Sequence, residues 1–354
     1  MAPLFPAIPD NGKNSSPMGN SQKIGVVLFQ LGGPDSLDAV EPFLYNLFSD
    51  PDIIDFPFAK LAREPLARLM ASWRAKKVSR DYDIIGGKSP LKDLTLLQAA
   101  ALEKELAKIC PAKVKVRVAM RYWHPFTEEA IKELETESLE QLVLLPLYPQ
   151  YSKTTTGSSL NEWNRLYAAS RMERNTTVPV RIVPKFYDDT NYLEALVEKV
   201  QCGLDQLIYK DGVHLVFSAH GVPLSVIEAG DPYQQQTEAT MQLVMKCGGW
   251  GYPHTLCYQS RVGPGRWLAP TLESTLRLLA GQGTKSVLVI PISFVSDHIE
   301  TLKEVDIEGR EIAQEAGIAE FGMMPALNDS PKFIKALADM VMAATRGDLS
   351  QSFR

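Results

Sequence analysis

Apolar and polar positions along this chain fall into two alternating textures. Short, nearly continuous apolar runs rich in β-branched residues occur at 24–30 (IGVVLFQ), 114–119 (VKVRVA), 142–148 (LVLLPLY), 179–184 (PVRIVP), 213–218 (VHLVFS), 255–259 and 286–292 (SVLVIPI). Between them, 94–109, 127–138, 190–208, 234–246 and 269–280 carry apolar residues at helical spacing. A strand without the polar alternation of a half-exposed sheet must be covered on both faces, which a parallel sheet flanked by helices achieves. The pattern therefore predicts the α/β class, and 354 residues give room for two such units.

A faint internal echo bears on that doubling. VVLFQLGGP (26–34) and LVFSAHGVP (215–223) both read as a strand followed by a Gly and Pro turn. LVLLPLYPQYS (142–152) and VLVIPISFVSD (287–297) both read as a strand, a proline, then an aromatic and a serine, and the pairs occur in the same order. The echo is either a duplicated unit or the general likeness of apolar strands. A duplication predicts a ligand where loops leave the carboxyl ends of strands in both halves, in the cleft between them.

Composition narrows the class further. A chain that is 45% hydrophobic and 22% charged is of the soluble globular kind. A net charge of −5 gives no overall attraction to nucleic acid, and none is expected as a partner. No run of 18 apolar residues is present, so no spanning helix is expected. Residues 1–22, rich in Pro, Asn, Ser and Gly, lack the apolar core of a signal peptide; they read as a disordered tail on a cytoplasmic protein. Cys110, Cys202, Cys247 and Cys257 form no CxxC pair and read as reduced thiols, with the ten-residue step from Cys247 to Cys257 only a weak metal signal.

The candidate chemistry lies where strands end. His220, in FSAHGVP, follows a strand that should be central; it is placed either as a general base or as a turn histidine bonded to nearby backbone. SFVSDHIETLKEVDIEGRE (293–311) follows another buried strand and releases Asp297, Glu300, Glu304 and Glu308 at steps of three, four and four. On an α-helix these form one stripe of carboxylates about 6 Å apart, with Lys303 and Asp306 off it. One reading is a solvated helix whose Asp297 and Glu300 form a capping box; the other is a path along which a cation exchanges ligands stepwise. LFQLGGP (28–34) lacks the lysine and glycine spacing of a phosphate loop. RYWHP (121–125) and YPQYSKTTTGSS (148–159) suit an anionic or aromatic ligand, or ordinary loop packing. In 56–77, Phe56, Phe58, Leu61, Leu66, Leu69, Met70 and Trp73 alternate with Lys60, Arg63, Arg68, Arg74, Lys76 and Lys77. That is either a core-facing helix or an apolar lip with a basic margin, suited to a membrane surface or a greasy ligand bearing carboxylates.

FQLGGP, GGKSPL (86–91), RYWHP, YPQYS and TTGSS, FSAHGVP and GDPY, YQSRVGPGRWL (258–268) and FVSDHIETL (294–302) together resemble the ferrochelatases, the iron-inserting enzymes of haem synthesis, in order from about residue 24 to 345. The resemblance implies two Rossmann-like domains of the class II chelatase kind, each a parallel sheet flanked by helices, with the active-site cleft between them. The implied spans are 23–185 with the lip at 56–77, 186–330 with His220 and the acidic helix, and 331–346 as a helix returning to the first domain. It implies His220 and Glu300 as catalytic and metal-binding residues, and Glu304 and Glu308 as a metal or proton path. Asp297 and His298 are then supports; Leu31, Arg121, Tyr122, Trp267 and Phe294 meet the porphyrin; Arg74, Lys77 and Ser260 meet its propionates.

The implied reaction takes protoporphyrin IX and Fe2+ as substrates and gives protohaem and two protons, with no tightly bound cofactor. The C-terminal cysteine extension that animal and some bacterial members of the family carry is missing from ATRGDLSQSFR (344–354), so the resemblance is to the bacterial type without it and no [2Fe–2S] cluster is expected. The lip implies peripheral contact with the inner face of the cell membrane. Alternatives are a coproporphyrin III ferrochelatase, a cobaltochelatase of the same fold, for which five histidines are few, and a non-catalytic porphyrin or haem carrier.

Overall fold

The computed structural model describes residues 22–54, 59–174, 178–261 and 265–347. The expected tail, apart from Gln22, lies outside them. In the first half β1 (Lys23–Gln30), β2 (Lys113–Met120), β3 (Gln141–Pro146) and β4 (Val180–Ile182) form one sheet in the order β2-β1-β3-β4. In the second half β5 (Val213–His220), β6 (His254–Gln259), β7 (Ser286–Pro291) and β8 (Glu320–Met323) form another in the order β6-β5-β7-β8. Every pairing is parallel.

The second sheet repeats the order of the first strand for strand. β1 and β3 correspond to β5 and β7, which carry the segments that echo each other in sequence. In both sheets the chain crosses to opposite sides of the first strand, so a crevice opens at the carboxyl ends of β1 and β3, and again at β5 and β7. β8 was not anticipated. Its four residues, EFGM, lack β-branching, and the Glu320 carboxylate is spent on the backbone N–H groups of Ile208 (2.6 Å) and Tyr209 (2.9 Å).

Nearly all of β1, β3, β5 and β7 is buried, as their nearly continuous apolar runs require. One apolar cluster runs from Val26, Leu28 and Val143 through Leu215 and Phe217 to Leu288 and Ile290, so the halves share a core. The helix Pro331–Arg346 buries Phe333, Leu337 and Val341 in it and lies against β3 and the helices Leu91–Ile109 and Thr190–Gln206. A second cluster belongs to the lip. Helices Val40–Ser49 and Ala59–Ile84 enclose Val40, Phe43, Phe48, Ala71, Tyr82 and Tyr122, with Leu31 and Ile299 packed against them. Leu31 follows β1 and Ile299 precedes Glu300, so this cluster brings the end of the first sheet and the acidic segment onto one cleft.

Candidate active site

The acidic segment departs from the expected α-helix. Glu300–Glu308 is π-helical, and an α-helix, Gly309–Ala316, continues it. π-helical turns are uncommon and concentrate at functional sites. The capping box expected of Asp297 and Glu300 does not form. The Asp297 carboxylate instead accepts from Asn328 Nδ2 (2.9 Å) and Thr301 Oγ1 (3.3 Å), while Thr301 Oγ1 takes the His298 N–H (3.0 Å). Gln98 of the first half donates to Ser296 Oγ and the Asn328 carbonyl, both at 2.9 Å, and so fastens the turn ahead of Glu300 across the cleft.

His220 is the last residue of β5. Its backbone is pinned by its N–H to Ser293 Oγ (3.0 Å) and by its carbonyl from the Tyr233 hydroxyl (3.1 Å). Gly221 follows because a Cβ there would stand 2.8 Å from the Gln259 carbonyl oxygen, and it would also lie 3.6 Å from the Trp267 ring. His220 Nε2 stands 3.8 Å from Glu300 Oε2, and His298 Nε2 stands 3.9 Å from Glu300 Oε1. His298 Nδ1 faces the Ser296 carbonyl at 3.1 Å; a carbonyl only accepts, so Nδ1 donates and Nε2 offers a lone pair to the site. Both gaps are too long for a direct hydrogen bond. A cation held at roughly 2.0–2.2 Å from a nitrogen and an oxygen would span the first of them.

Ser260, placed among the propionate ligands by the resemblance, is instead committed to the acids. Its hydroxyl reaches Glu300 Oε2 (3.0 Å) and, more closely, Glu304 Oε2. It holds a left-handed backbone, φ +63°, a conformation costly for a residue with a side chain and found where a site fixes it. The guanidinium of Arg74, grouped with it by the resemblance, lies over the Phe48 ring at 5.9 Å, and Lys77 is exposed.

The carboxyls are not equivalent. Burial alone would raise Glu300, but the imidazoles of His220 and His298 and the Ser260 hydroxyl hold it below the usual range. Burial and then the Glu300 charge push Glu304 up to about 7. His298, fully enclosed, is lowered by burial and stays neutral at pH 7. Tyr82, reaching in from the lip helix, is raised by burial and then by the charges of Glu300, Asp81 and Glu304. No spacing in the sequence marks Tyr82 as a neighbour of these acids.

Glu304 predicts a pH signature in stability. Between its ordinary value of 4.5 and about 7 the unfolded chain has released a proton that the folded protein keeps, so stability falls as pH rises through that window. Glu304→Gln removes the slope. The variant should match the parent below pH 4.5 and exceed it at pH 8 by on the order of 1–3 kcal/mol. Urea unfolding from pH 4 to 8 checks this, and parallel curves would contradict it.

On the facing wall, Leu31 is half-buried and its carbonyl takes the Tyr122 N–H at 3.0 Å. Tyr122, expected at the porphyrin, is fully buried, and its hydroxyl donates to Asp50 (2.6 Å). Arg121 pairs with the same carboxylate at 3.0 Å and donates to Ser158 (2.8 Å). Tyr122 therefore supports the wall from behind, and Asp50 and Ser158, which sequence reasoning missed, complete the network. Phe294 lies 4.5 Å from the His298 ring, and Trp267, beside Gly221, has a buried Nε1 with no partner among the described residues. Glu308 pairs with Lys303 (2.5 Å), and Asp306 pairs with Arg310 off the stripe.

On the lip helix Leu66, Leu69 and Trp73 are exposed, Trp73 at 81%, while Ala67 and Ala71 face inward. Phe56 and Phe58 lie outside the described residues, as does the side chain of Leu61. Cys247 is exposed and Cys257 buried, both free. Among the described residues no group of three or more His, Cys, Asp or Glu side chains is arranged to hold a metal, and no helix is long and apolar enough to cross a membrane.

The family model named Ferrochelatase matches residues 23–345. A ferrochelatase of Nostoc sp. is 49% identical over 324 residues, 91% of this chain and 82% of that protein. One from Trichodesmium erythraeum is 47% identical over 323 residues, again 91% and 82%. Among solved structures, SirB from Bacillus subtilis with Fe3+ superposes with a TM-score of 0.55 at 12% identity, covering 94% of this chain and 100% of that one. At that identity the likeness speaks for the fold.

Proposed function

The chain belongs to the ferrochelatase family, metal-chelating lyases of haem biosynthesis, and we propose that it inserts Fe2+ into protoporphyrin IX, with His220 and Glu300 at the reacting centre. The observation that carries this reading is the pair of 3.8–3.9 Å gaps around Glu300, each between a carboxylate oxygen and an imidazole nitrogen, at the carboxyl ends of β5 and β7. The division into working halves at 185/186 is part of the proposal and rests on the two sheets.

The reaction replaces two pyrrole N–H bonds with bonds to iron, so two protons must leave. His220 takes the two pyrrole protons in turn, and Glu300, ionised between transfers, passes each one on. Glu304, titrating near 7, can accept and release that proton at neutral pH. Two O and N ligands bind Fe2+ weakly enough to hand it over. Leu31, Phe294 and Trp267 supply ring contacts whose binding energy bends the macrocycle. Arg121 steadies that wall, and Arg74 and Lys77, at the rim of the lip helix, meet the propionates. Adding Fe2+ anaerobically to protein and porphyrin and following the porphyrin absorbance tests the assignment. Conversion of protoporphyrin IX is expected; preferential turnover of coproporphyrin III would replace the substrate, and binding without conversion would leave a carrier.

Leu66, Leu69 and Trp73 stand at steps of three and four on one face of the lip helix, beside exposed Lys76 and Lys77. This supports peripheral contact with a membrane that holds the lipophilic porphyrin. The parent should float with anionic liposomes and Trp73→Glu should lose at least half of that binding; flotation unchanged by the substitution would refute the lip as the contact.

A further inference from the structure

Lys303 looked, in sequence, like a lone base off the acidic stripe. In the π-helix residues five apart become neighbours, and Lys303 turns back onto Glu308, five residues on. Its Nζ is 2.5 Å from Glu308 Oε1 and 3.1 Å from Asp81 Oδ1 of the lip helix. The residue is only 8% exposed, whereas the Glu308 side chain is 45% exposed. Burial alone would favour the neutral amine, but the carboxylates of Glu308 and Asp81 hold its pKa above the ordinary lysine value.

We propose that Lys303 is the resident counter-cation of the acidic file: its ammonium occupies the outer end between Asp81 and Glu308 and keeps a divalent cation from being held there. This rests on reading the file as an ion path toward His220 and Glu300. Two carboxylates within about 3 Å of one point, with Glu304 next in line, are oxygen ligands of the kind a hard divalent cation takes. A cation stored there would compete with the inner position for Fe2+. The ammonium neutralises the pair on a tether that cannot leave, and displacing it would strand a buried charge. The same contact joins the lip helix to the acidic helix, so Lys303 is a positioning residue for the file and not a reacting group.

Mn2+ titrated into the metal-free full-length protein, with bound ions counted by electron paramagnetic resonance, tests this without porphyrin or turnover. The parent should hold at most one Mn2+. Lys303→Met should gain one more, at least tenfold tighter than any outer binding in the parent. Lys303→Arg should restore the parent's count, and Lys303→Met with Glu308→Gln should lose the extra ion. Added Mg2+ should raise the Fe2+ KM of Lys303→Met and leave the parent's unchanged. Two ions on the parent overturn the proposal without any variant. So does a folded Lys303→Met, judged by near-ultraviolet circular dichroism, that binds no more than the parent, or an arginine variant that behaves like methionine. If the counts come out as expected while the parent inserts no iron, the function proposed above fails and the role of Lys303 stands.

Discussion

Replacing His220 with alanine is expected to abolish metal insertion while porphyrin still binds. The imidazole sits at the end of a central strand whose backbone is held on both sides, by Ser293 and by Tyr233, so it is presented without freedom to relax. Its side chain is 35% exposed and fills no core position, so its removal should leave the fold intact. What disappears is one of the two groups 3.8 Å apart that face the cleft together, and with it the proposed acceptor for a pyrrole proton. Positioned proton transfer contributes about 10²–10⁴-fold to a rate. A fall in kcat of at least 10²-fold is expected, with porphyrin affinity, measured by its fluorescence, kept within about threefold. A drop of less than tenfold would remove His220 from the chemistry. Glu300→Gln is the informative companion, because it keeps the shape of the site and removes the carboxylate charge that stands between the two imidazoles.

The parts of this site that sequence made legible are those set by local pattern. Seven of the eight strands among the described residues announce themselves as short runs rich in apolar and β-branched residues, and His220 and Glu300 stand out because polar residues in the segments that follow such runs need a reason. The rest depends on geometry that spacing does not encode. An α-helical wheel puts Lys303 off the acidic stripe, whereas the π-helix brings it onto Glu308. Nothing in YQSRVGP shows that Ser260 will adopt a left-handed backbone and turn its hydroxyl onto two carboxylates. RYWHP gave Arg121 and Tyr122 as a pair but not that Tyr122 is sealed behind the wall, because its partner Asp50 lies 72 residues earlier. β8 was missed because four residues with a paired glutamate carry too little apolar signal.

Asp50 is where the second large effect is expected, in stability. Its carboxylate is fully buried and accepts from the Tyr122 hydroxyl at 2.6 Å and from Ser158, while pairing with the Arg121 guanidinium at 3.0 Å. One of its oxygens also takes the Asp52 N–H at 2.9 Å. Asp50→Ala leaves a mostly enclosed guanidinium and two hydroxyls without their acceptor. Breaking a buried pair from one side costs about 3–5 kcal/mol, because the remaining charge stays where water cannot reach it. The hydroxyl losses overlap with that figure and do not add to it in full. Against the 5–15 kcal/mol typical of a folded domain, the first half should be close to unfolding at 37 °C. Asp50→Asn keeps an acceptor and should lose about half as much, since the charge-assisted part of the bond goes and the neutral part stays. Urea unfolding of parent and both variants measures this, and a loss below about 1 kcal/mol for alanine would mean that the network relaxes or hydrates. The same substitution reads the cleft wall. Arg121 and Tyr122 bond through their N–H groups to the carbonyls of Gln30 and Leu31, at 2.9 and 3.0 Å, so loosening Asp50 frees the strand end on which Leu31 stands. If that wall steadies the porphyrin, Asp50→Asn, folded at 20 °C, should bind it at least several-fold more weakly than His220→Ala does, although Asp50 is sealed from the cleft.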